Sequence, residues 1–398
     1  MAYLKRDIEK KIVKDLKNED ILIISGPRFI GKTAILKNLA KSVNPAYFIN
    51  LENRMHVQQL NDSPLNLFKI VPRSNKRVYL FIDEIQYLDE PSFFLQRLQQ
   101  SYKDKLKIVV STTDLRDEDF ALDQKRYYEI ASLSFQEFLR FRKKEELLSF
   151  FSYRLESDPF KKQIPVSYRD ELDKVFLEYI QYGGYPKVVL TSDVLDKKVL
   201  LLEMVNGFLN YEILRLSVRN TTKFYTLFKL LAERVGDFYN LSELAKELDI
   251  SSPTVENYIQ ILKQNQYINV LYPFSKNYSK EISKTPKFYF KDLGIRNAIL
   301  DNFEVISDRW DRENYFENIA FNFLSSKEGI KNFNYWRTQT KKEIDFIVNE
   351  NLAFAVSFNG GRVNKSKHRT FQKIYPEMKL KFITFKNDID EAVTVLDL

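Results

Sequence analysis

Eight residues near the N-terminus, Gly26-Pro27-Arg28-Phe29-Ile30-Gly31-Lys32-Thr33, constrain what this chain can fold into more than any other stretch. They fit the pattern G-x-x-x-x-G-K-[ST], which a chain of this length meets by chance roughly once in a hundred sequences. The flanks narrow the reading further. Ile21-Leu22-Ile23-Ile24 is an apolar, β-branched run that reads as a buried parallel strand, and Ala34–Ala40 has helical spacing. A glycine-bounded loop between strand and helix presents backbone N–H groups, and the positive end of the helix dipole, to phosphate oxygens. The segment predicts nucleoside triphosphate binding by Gly26, Pro27, Arg28, Phe29, Ile30, Gly31, Lys32, Thr33 and Ala34.

About fifty residues on, Val78-Tyr79-Leu80-Phe81-Ile82 runs into Asp83 and Glu84. Two carboxylates at the C-terminal end of a parallel strand point into the crevice where α/β proteins bind ligands. Asp83 and the Thr33 hydroxyl are placed to hold Mg²⁺. Glu84 is the candidate base for the attacking water, and Lys32 the cation for the β- and γ-phosphates. Two more strands, at 46–51 and 106–110, suit the same sheet, and the second ends in Ser111-Thr112-Thr113. Hydroxyls there could sense the γ-phosphate or merely end a strand. Thr112 and Thr113 are not distinguished at this level.

Composition excludes several chemistries. With no cysteine there is no disulfide, thiolate metal site or cysteine nucleophile, and two histidines far apart, His56 and His368, do not suggest a zinc site. No apolar run approaches the roughly 20 residues of a membrane span, and the N-terminus has no signal-peptide core. A soluble, cytoplasmic protein without membrane contact is expected. The net charge of +8, with 29% charged residues of both signs interspersed, allows a nucleic-acid partner without demanding one.

The segments GPRFIGKT, FINLEN (Phe48–Asn53), FIDEIQYL (Phe81–Leu88) and IASLSFQEFL (Ile130–Leu139) follow one another in an order that resembles a large group of bacterial and archaeal AAA-type ATPases. That group has a poorly characterised C-terminal domain and carries a GGYP segment, here Gly183-Gly184-Tyr185-Pro186. The resemblance spans nearly the whole chain. It implies a RecA/AAA-like core, ATP and Mg²⁺ as cofactors and self-association into a homo-oligomer, and leaves the substrate open. The family usually has a glycine where this chain has Ser111-Thr112-Thr113, which implies a stiffer sensor loop. Arg126, placed before a strand at Ile130, stands where the family often has an arginine and is a candidate arginine finger, with a surface salt bridge as the plainer fate.

Residues from about Phe135 to Val235 read as amphipathic helices broken at Pro165 and at the GGYP turn, fitting a helical lid. Leu241–Leu248 and Thr254–Leu262 then flank a tight turn. Leu244, Ala245, Leu248, Ile250, Val255, Ile259 and Leu262 are spaced to share one small core, a helix-turn-helix pattern, and a strand at 267–272 would open a wing. Asn257, Gln260 and Lys263, with Lys276, Lys280 and Lys284 of the wing, could touch duplex DNA, although Glu256 would face phosphate charge. Such modules also bind proteins.

From Pro286 onward the chain resembles the family's terminal, restriction-endonuclease-like domain. Glu317 is expected on a helix, Tyr335-Trp336-Arg337 at the start of a strand, and Glu343 and Asp345 on one face of the next strand, a potential Mg²⁺ trio. The Glu-x-Lys of such nucleases is missing. Ala355 and Ser357 take its places, and Lys341 or Lys342 would have to supply the lysine. Nuclease activity is not expected.

The expected fold is therefore α/β: an ATPase core over 1–140, a helical lid over 141–235, a winged helix over 236–285 and a degenerate nuclease-like domain over 286–398. The expected function is Mg-dependent ATP hydrolysis coupled to DNA binding. A nucleotide-switched assembly or signalling protein with a protein partner is the alternative.

Overall fold

The computed structural model describes residues 3–71, 76–102, 105–113, 119–156, 166–216, 218–274, 285–327, 329–330, 332–360, 363, 365–386 and 392–397. Pro165 and the wing lysines Lys276, Lys280 and Lys284 lie outside them. The chain divides into two compact units. One holds Met1–Ser132 with Gln264–Gln266, and the other holds Leu133–Lys263 with Tyr267–Leu398.

In the first unit the elements run α1 (Glu9–Asp15), β1 (Ile21–Ser25), α2 (Lys32–Lys41), β2 (Ala46–Asn50), α3 (Arg54–Asp62), β3 (Val78–Asp83), α4 (Pro91–Tyr102), β4 (Leu106–Thr112) and β5 (Lys125–Glu129). The five strands form one parallel sheet in the order β2-β3-β4-β1-β5. All five residues of β1 are buried, as an apolar run between two parallel neighbours requires. Ile21, Ile23, Leu80, Ile82, Ile108 and Val110 join one core with Phe94, Leu95 and Leu98 of α4. Each such side chain contributes about 1.5–3 kcal/mol on burial. This packing fixes the C-terminal ends of β1, β3 and β4 side by side, which is where the chemistry-bearing residues sit.

One expectation is corrected here. Arg126 does not precede a strand at Ile130; it lies inside β5, paired with Leu22 of β1. The segment Lys125–Glu129 is charged and half exposed, so it reads as a loop, yet it closes the sheet edge. At Ile130 the ladder ends. Its N–H donates to the Ser25 carbonyl at 2.7 Å, and the chain passes so close to Gly26 that a Cβ there would stand 2.8 Å from the Ile130 oxygen. Gly26 is thus required by close approach.

The second unit opens with α5 (Phe135–Phe141), started by a capping box between Ser134 and Glu137. Helices α6 (Glu145–Glu156), α7 (Val166–Tyr182), α8 (Pro186–Leu190), α9 (Val194–Gly207), α10 (Ile213–Arg215) and α11 (Thr221–Glu233) follow. Then come α12 (Leu241–Leu248), α13 (Ser252–Gln264), β6 (Ile268–Pro273), β7 (Lys287–Phe290), α14 (Leu293–Leu300) and α15 (Arg312–Ser325). The chain finishes through β8 (Phe333–Arg337), β9 (Glu343–Val348), β10 (Leu352–Ser357), α16 (Arg369–Ile374), β11 (Lys379–Thr384) and β12 (Ala392–Thr394). Tyr335, Trp336 and Arg337 close β8 rather than begin it.

Seven strands form one mixed sheet, β12-β11-β10-β9-β8-β6-β7. β6 pairs with β7 antiparallel and with β8 parallel. The α12–α13 helix pair and its following strand therefore share a sheet with the C-terminal segment, and the expected boundary at 285/286 falls between two paired strands. Leu244, Leu248, Val255, Ile259 and Leu262 are buried, while Glu256, Asn257, Gln260 and Lys263 are exposed.

Helix α14 is buried from Leu293 to Ile299, and it explains the GGYP segment. Asp292 caps α14, accepting from Ile295 N–H at 3.0 Å, and its other oxygen accepts from Gly184 N–H at 2.8 Å. A Cβ on Gly183 would lie 2.2 Å from Asp292 Oδ1, one on Gly184 2.5 Å from the Leu133 carbonyl oxygen, and one on Gly294 2.1 Å from the Tyr182 carbonyl oxygen. At Gly184 and Gly294 backbone thus meets backbone with no room for a methyl group, and at Gly183 the Asp292 carboxylate fills the space. We expect Gly294→Ala to destabilise this unit by about 2–3 kcal/mol, although alanine favours a helix elsewhere by about 1 kcal/mol. Both tryptophans, Trp310 and Trp336, lie in this unit, so a denaturant titration followed by tryptophan fluorescence reads it directly. An unchanged midpoint would show that the contact is not tight.

Candidate active site

The loop between β1 and α2 is shaped by two left-handed residues, Phe29 at φ 66° and Gly31 at φ 101°, the latter standing at the N-cap of α2. Arg6 straps the loop, donating to the Ile30 carbonyl at 3.4 Å and the Ala131 carbonyl at 2.8 Å. Arg28 reaches Glu52 at 3.1 Å, and Phe29 is half exposed.

Lys32, 4% exposed, folds its ammonium back under the loop. Nζ donates to the Gly26 carbonyl at 2.9 Å and the Pro27 carbonyl at 3.2 Å, and lies 3.3 Å from Glu84 Oε1. Glu84 follows β3 with φ 60°, a left-handed conformation that turns its carboxylate toward the loop. Its N–H donates to Ser111 Oγ at 2.9 Å, and Ser111 Oγ donates to Asp83 Oδ1 at 2.5 Å. A single serine thus holds both acidic residues in place.

The two carboxyls differ electrostatically. Burial pushes Asp83 above the ordinary aspartate range, with the Ser111 and Thr33 hydroxyls working against it. Burial also pushes Glu84 upward, but the Lys32 charge and the hydrogen bonds from Thr113, Gln86 and Lys32 bring it below the ordinary value on balance. Asp83 is the more desolvated in effect: burial outweighs the Lys32 charge that acts on it, and it forms no ion pair among the described residues. With the Thr33 hydroxyl beside it, this oxygen-only donor set fits a hard cation such as Mg²⁺.

Of the two threonines that the sequence leaves undistinguished, it is Thr113 whose hydroxyl reaches this cluster. Thr113 Oγ1 donates to Glu84 Oε2 at 2.8 Å, accepts from Gln86 Nε2 at 3.0 Å and lies 3.4 Å from Lys32 Nζ. Thr112 points elsewhere, and its buried hydroxyl has no partner among the described residues. Gln86 is a residue that sequence reasoning missed. It is 7% exposed, donates to Glu84 Oε2, and leaves its Oε1 buried without a partner among the described residues. Its position two residues after the paired acids was the available signal. Arg126 is not brought to this cluster. It is half exposed and bound to Asp20 at 2.5 Å and Asp15 at 3.2 Å. An open cleft of about 510 Å³ lined by Lys11, Lys14, Asp15, Arg126, Tyr127 and Tyr128 is likewise separate from Lys32, Asp83 and Glu84. The cluster of reactive groups, rather than that cleft, marks the candidate site.

Residues 18–139 match the model of an AAA domain family, and residues 173–305 match a domain of unknown function, DUF8612. An uncharacterized protein of Methanocaldococcus jannaschii, MJ1544, is 26% identical over 415 residues, covering 99% of this chain and 88% of its own. An uncharacterized protein of Haemophilus influenzae is 25% identical over 369 residues, covering 87% and 84%. Among solved structures, the Aeropyrum pernix ORC1 protein in complex with DNA aligns with TM-score 0.35 at 12% identity, over 75% of this chain and 93% of that one. AMPPCP-bound DnaA from Aquifex aeolicus aligns with TM-score 0.31 at 15% identity, over 65% and 88%. No described helix is long and apolar enough to cross a membrane. With its five-stranded parallel sheet and its matched family model, the segment 18–139 is similar to an AAA domain of the P-loop ATPase type.

Proposed function

We propose that this chain is a Mg-dependent ATPase whose nucleotide state is coupled to duplex DNA binding. The observation that carries the ATPase reading is the convergence of Lys32, Asp83, Glu84 and Thr113 beneath one phosphate-binding loop. In this reading Gly26–Ala34 cradle the phosphates, and Lys32 neutralises the β- and γ-phosphate charge. Thr33 and Asp83 hold Mg²⁺, which when bound offsets phosphate charge. Glu84 takes the proton of the attacking water, Thr113 couples that carboxylate to the γ-phosphate, and the free Oε1 of Gln86 accepts a hydrogen bond from the water.

The DNA reading rests on the α12–α13 pair as a winged-helix module, where Asn257, Gln260 and Lys263 stand exposed on α13. The C-terminal sheet is read as a nuclease-like scaffold without cleavage activity. A second reading has its own observation. Leu195, Val199 and Leu202 form an exposed apolar stripe along α9, with Leu195 70% exposed, which favours a protein partner or a second copy of this chain.

Steady-state ATP hydrolysis with and without duplex DNA separates them. DNA-stimulated hydrolysis that weakens by about 40-fold in apparent DNA affinity between about 50 and 200 mM salt, as roughly three phosphate contacts imply, supports the DNA reading. Hydrolysis indifferent to DNA at both salt concentrations overturns it and leaves the protein-directed switch.

A further inference from the structure

The second unit contains a largely buried charge cluster that the ATPase reading does not use. Glu317 on α15 and Glu343 and Asp345 on β9 bring one carboxylate oxygen each to within 4.8 Å of one another. Three carboxylates at that spacing repel and call for a cation. The chain supplies one from an unexpected strand. Lys287 of β7, 1% exposed, places Nζ 3.0 Å from Glu317 Oε1 and 2.5 Å from Glu343 Oε1. Its ammonium also lies over the rings of Phe238, at 4.8 Å, and Tyr335, at 5.9 Å.

Each of the three carboxylates has an oxygen engaged from within the chain. Glu317 Oε1 also accepts from the Tyr289 hydroxyl at 2.5 Å, and Asp345 Oδ2 accepts from Val356 N–H at 2.7 Å. On β10, Ala355 and Ser357 are buried where a further carboxylate and a lysine would complete a metal-dependent nuclease site. A divalent ion bound to Glu317 and Glu343 at about 2.0–2.6 Å would stand beside the ammonium, like charge against like. Burial alone would lower the lysine's pKa, yet the charges of Glu317, Glu343 and Asp345 raise it on balance, so the ammonium stays charged.

We propose that Lys287 is the resident cation of this trio, holding the place a divalent metal would take, so that the C-terminal sheet is a metal-independent scaffold. The lysine replaces the metal; it does not assist one. Removing its charge while keeping its length should open the site to a metal.

The test is Mn²⁺ titration of the nucleotide-free full chain by calorimetry, comparing wild type with Lys287→Met and Lys287→Gln. Wild type is expected to show no site tighter than about 1 mM at this cluster, whereas each variant gains one Mn²⁺ at least about tenfold tighter, lost again when Asp345→Asn is added. Wild-type binding of one Mn²⁺ that Asp345→Asn abolishes overturns the proposal, because lysine and metal would then coexist as in a working hydrolase. Folded variants that fail to bind overturn it as well. If both variants unfold without metal, recovery of the circular dichroism spectrum with Mn²⁺ supports the proposal and failure to recover overturns it.

Discussion

Lys32→Ala is expected to raise the Kd for ATP by about 100-fold or more. Each hydrogen bond to a charged group contributes about 1.5–3 kcal/mol, and an ammonium that meets two phosphates accounts for roughly 3 kcal/mol, or about a factor of 100. The lysine is already positioned for this, its Nζ held under the loop by the Gly26 and Pro27 carbonyls. A fluorescent ATP analogue titrated into both proteins measures the loss, and a Kd within threefold of wild type would remove Lys32 from the phosphate site. The substitution should also leave a pH signature. Although burial pushes Glu84 upward, Lys32 and the hydrogen bonds around it hold its folded pKa below the ordinary value of 4.5. A depressed carboxylate contributes stability that is present above its unfolded pKa and is lost as pH falls through its folded pKa. Lys32→Ala removes the foremost lowering influence. The stability gap between wild type and variant should therefore be widest near neutral pH and close as pH drops below about 4.5. Calorimetric unfolding without nucleotide at the two pH values reads this, and a gap that is constant with pH would argue against the Lys32–Glu84 ion pair.

The parts of this molecule that were legible in the sequence are those in which the chemistry is contiguous. The loop Gly26–Thr33, the strand running into Asp83 and Glu84, and the acidic strand from Glu343 are local patterns, and each lies on the element its periodicity predicts. What escaped notice depends on contacts between distant residues. β5 belongs to the sheet only because β1 offers it a ladder; its own residues, Lys125–Glu129, carry no apolar alternation. The glycines at 183 and 184 predict a turn, but their reasons are distant in sequence: the Asp292 carboxylate crowds Gly183, and the Leu133 carbonyl crowds Gly184. Thr112 and Thr113 are equivalent by composition, and only the side-chain directions at the end of β4 separate them. Lys287 gave no signal at all. Its partners lie 30 and 56 residues away, whereas the lysines that the sequence offers for the missing nuclease lysine, Lys341 and Lys342, are exposed near the turn that opens β9.

Glu84→Gln should separate binding from turnover. The exchange keeps size and planarity, so the contacts with Thr113, Gln86 and the Ser111-anchored backbone remain available, and the loop itself is untouched. Nucleotide affinity should be equal to wild type or tighter, since Lys32 no longer shares its charge with a carboxylate 3.3 Å away. Hydrolysis should fall by about 100-fold to 10,000-fold, the range set by removing a general base. The same depressed pKa that ties Glu84 to Lys32 bears on the mechanism. A carboxylate held low is ionised and ready at neutral pH but weakly basic, and drawing the ammonium away onto bound phosphate would raise its basicity as ATP arrives. ATP binding and base activation would then be one event. Phosphate release by the Glu84→Gln chain at the wild-type rate would sink the assignment of Glu84 as base. Weakened binding would mean instead that the Lys32–Glu84 pair shapes the empty loop for nucleotide, a role in which glutamine cannot stand in for the charge.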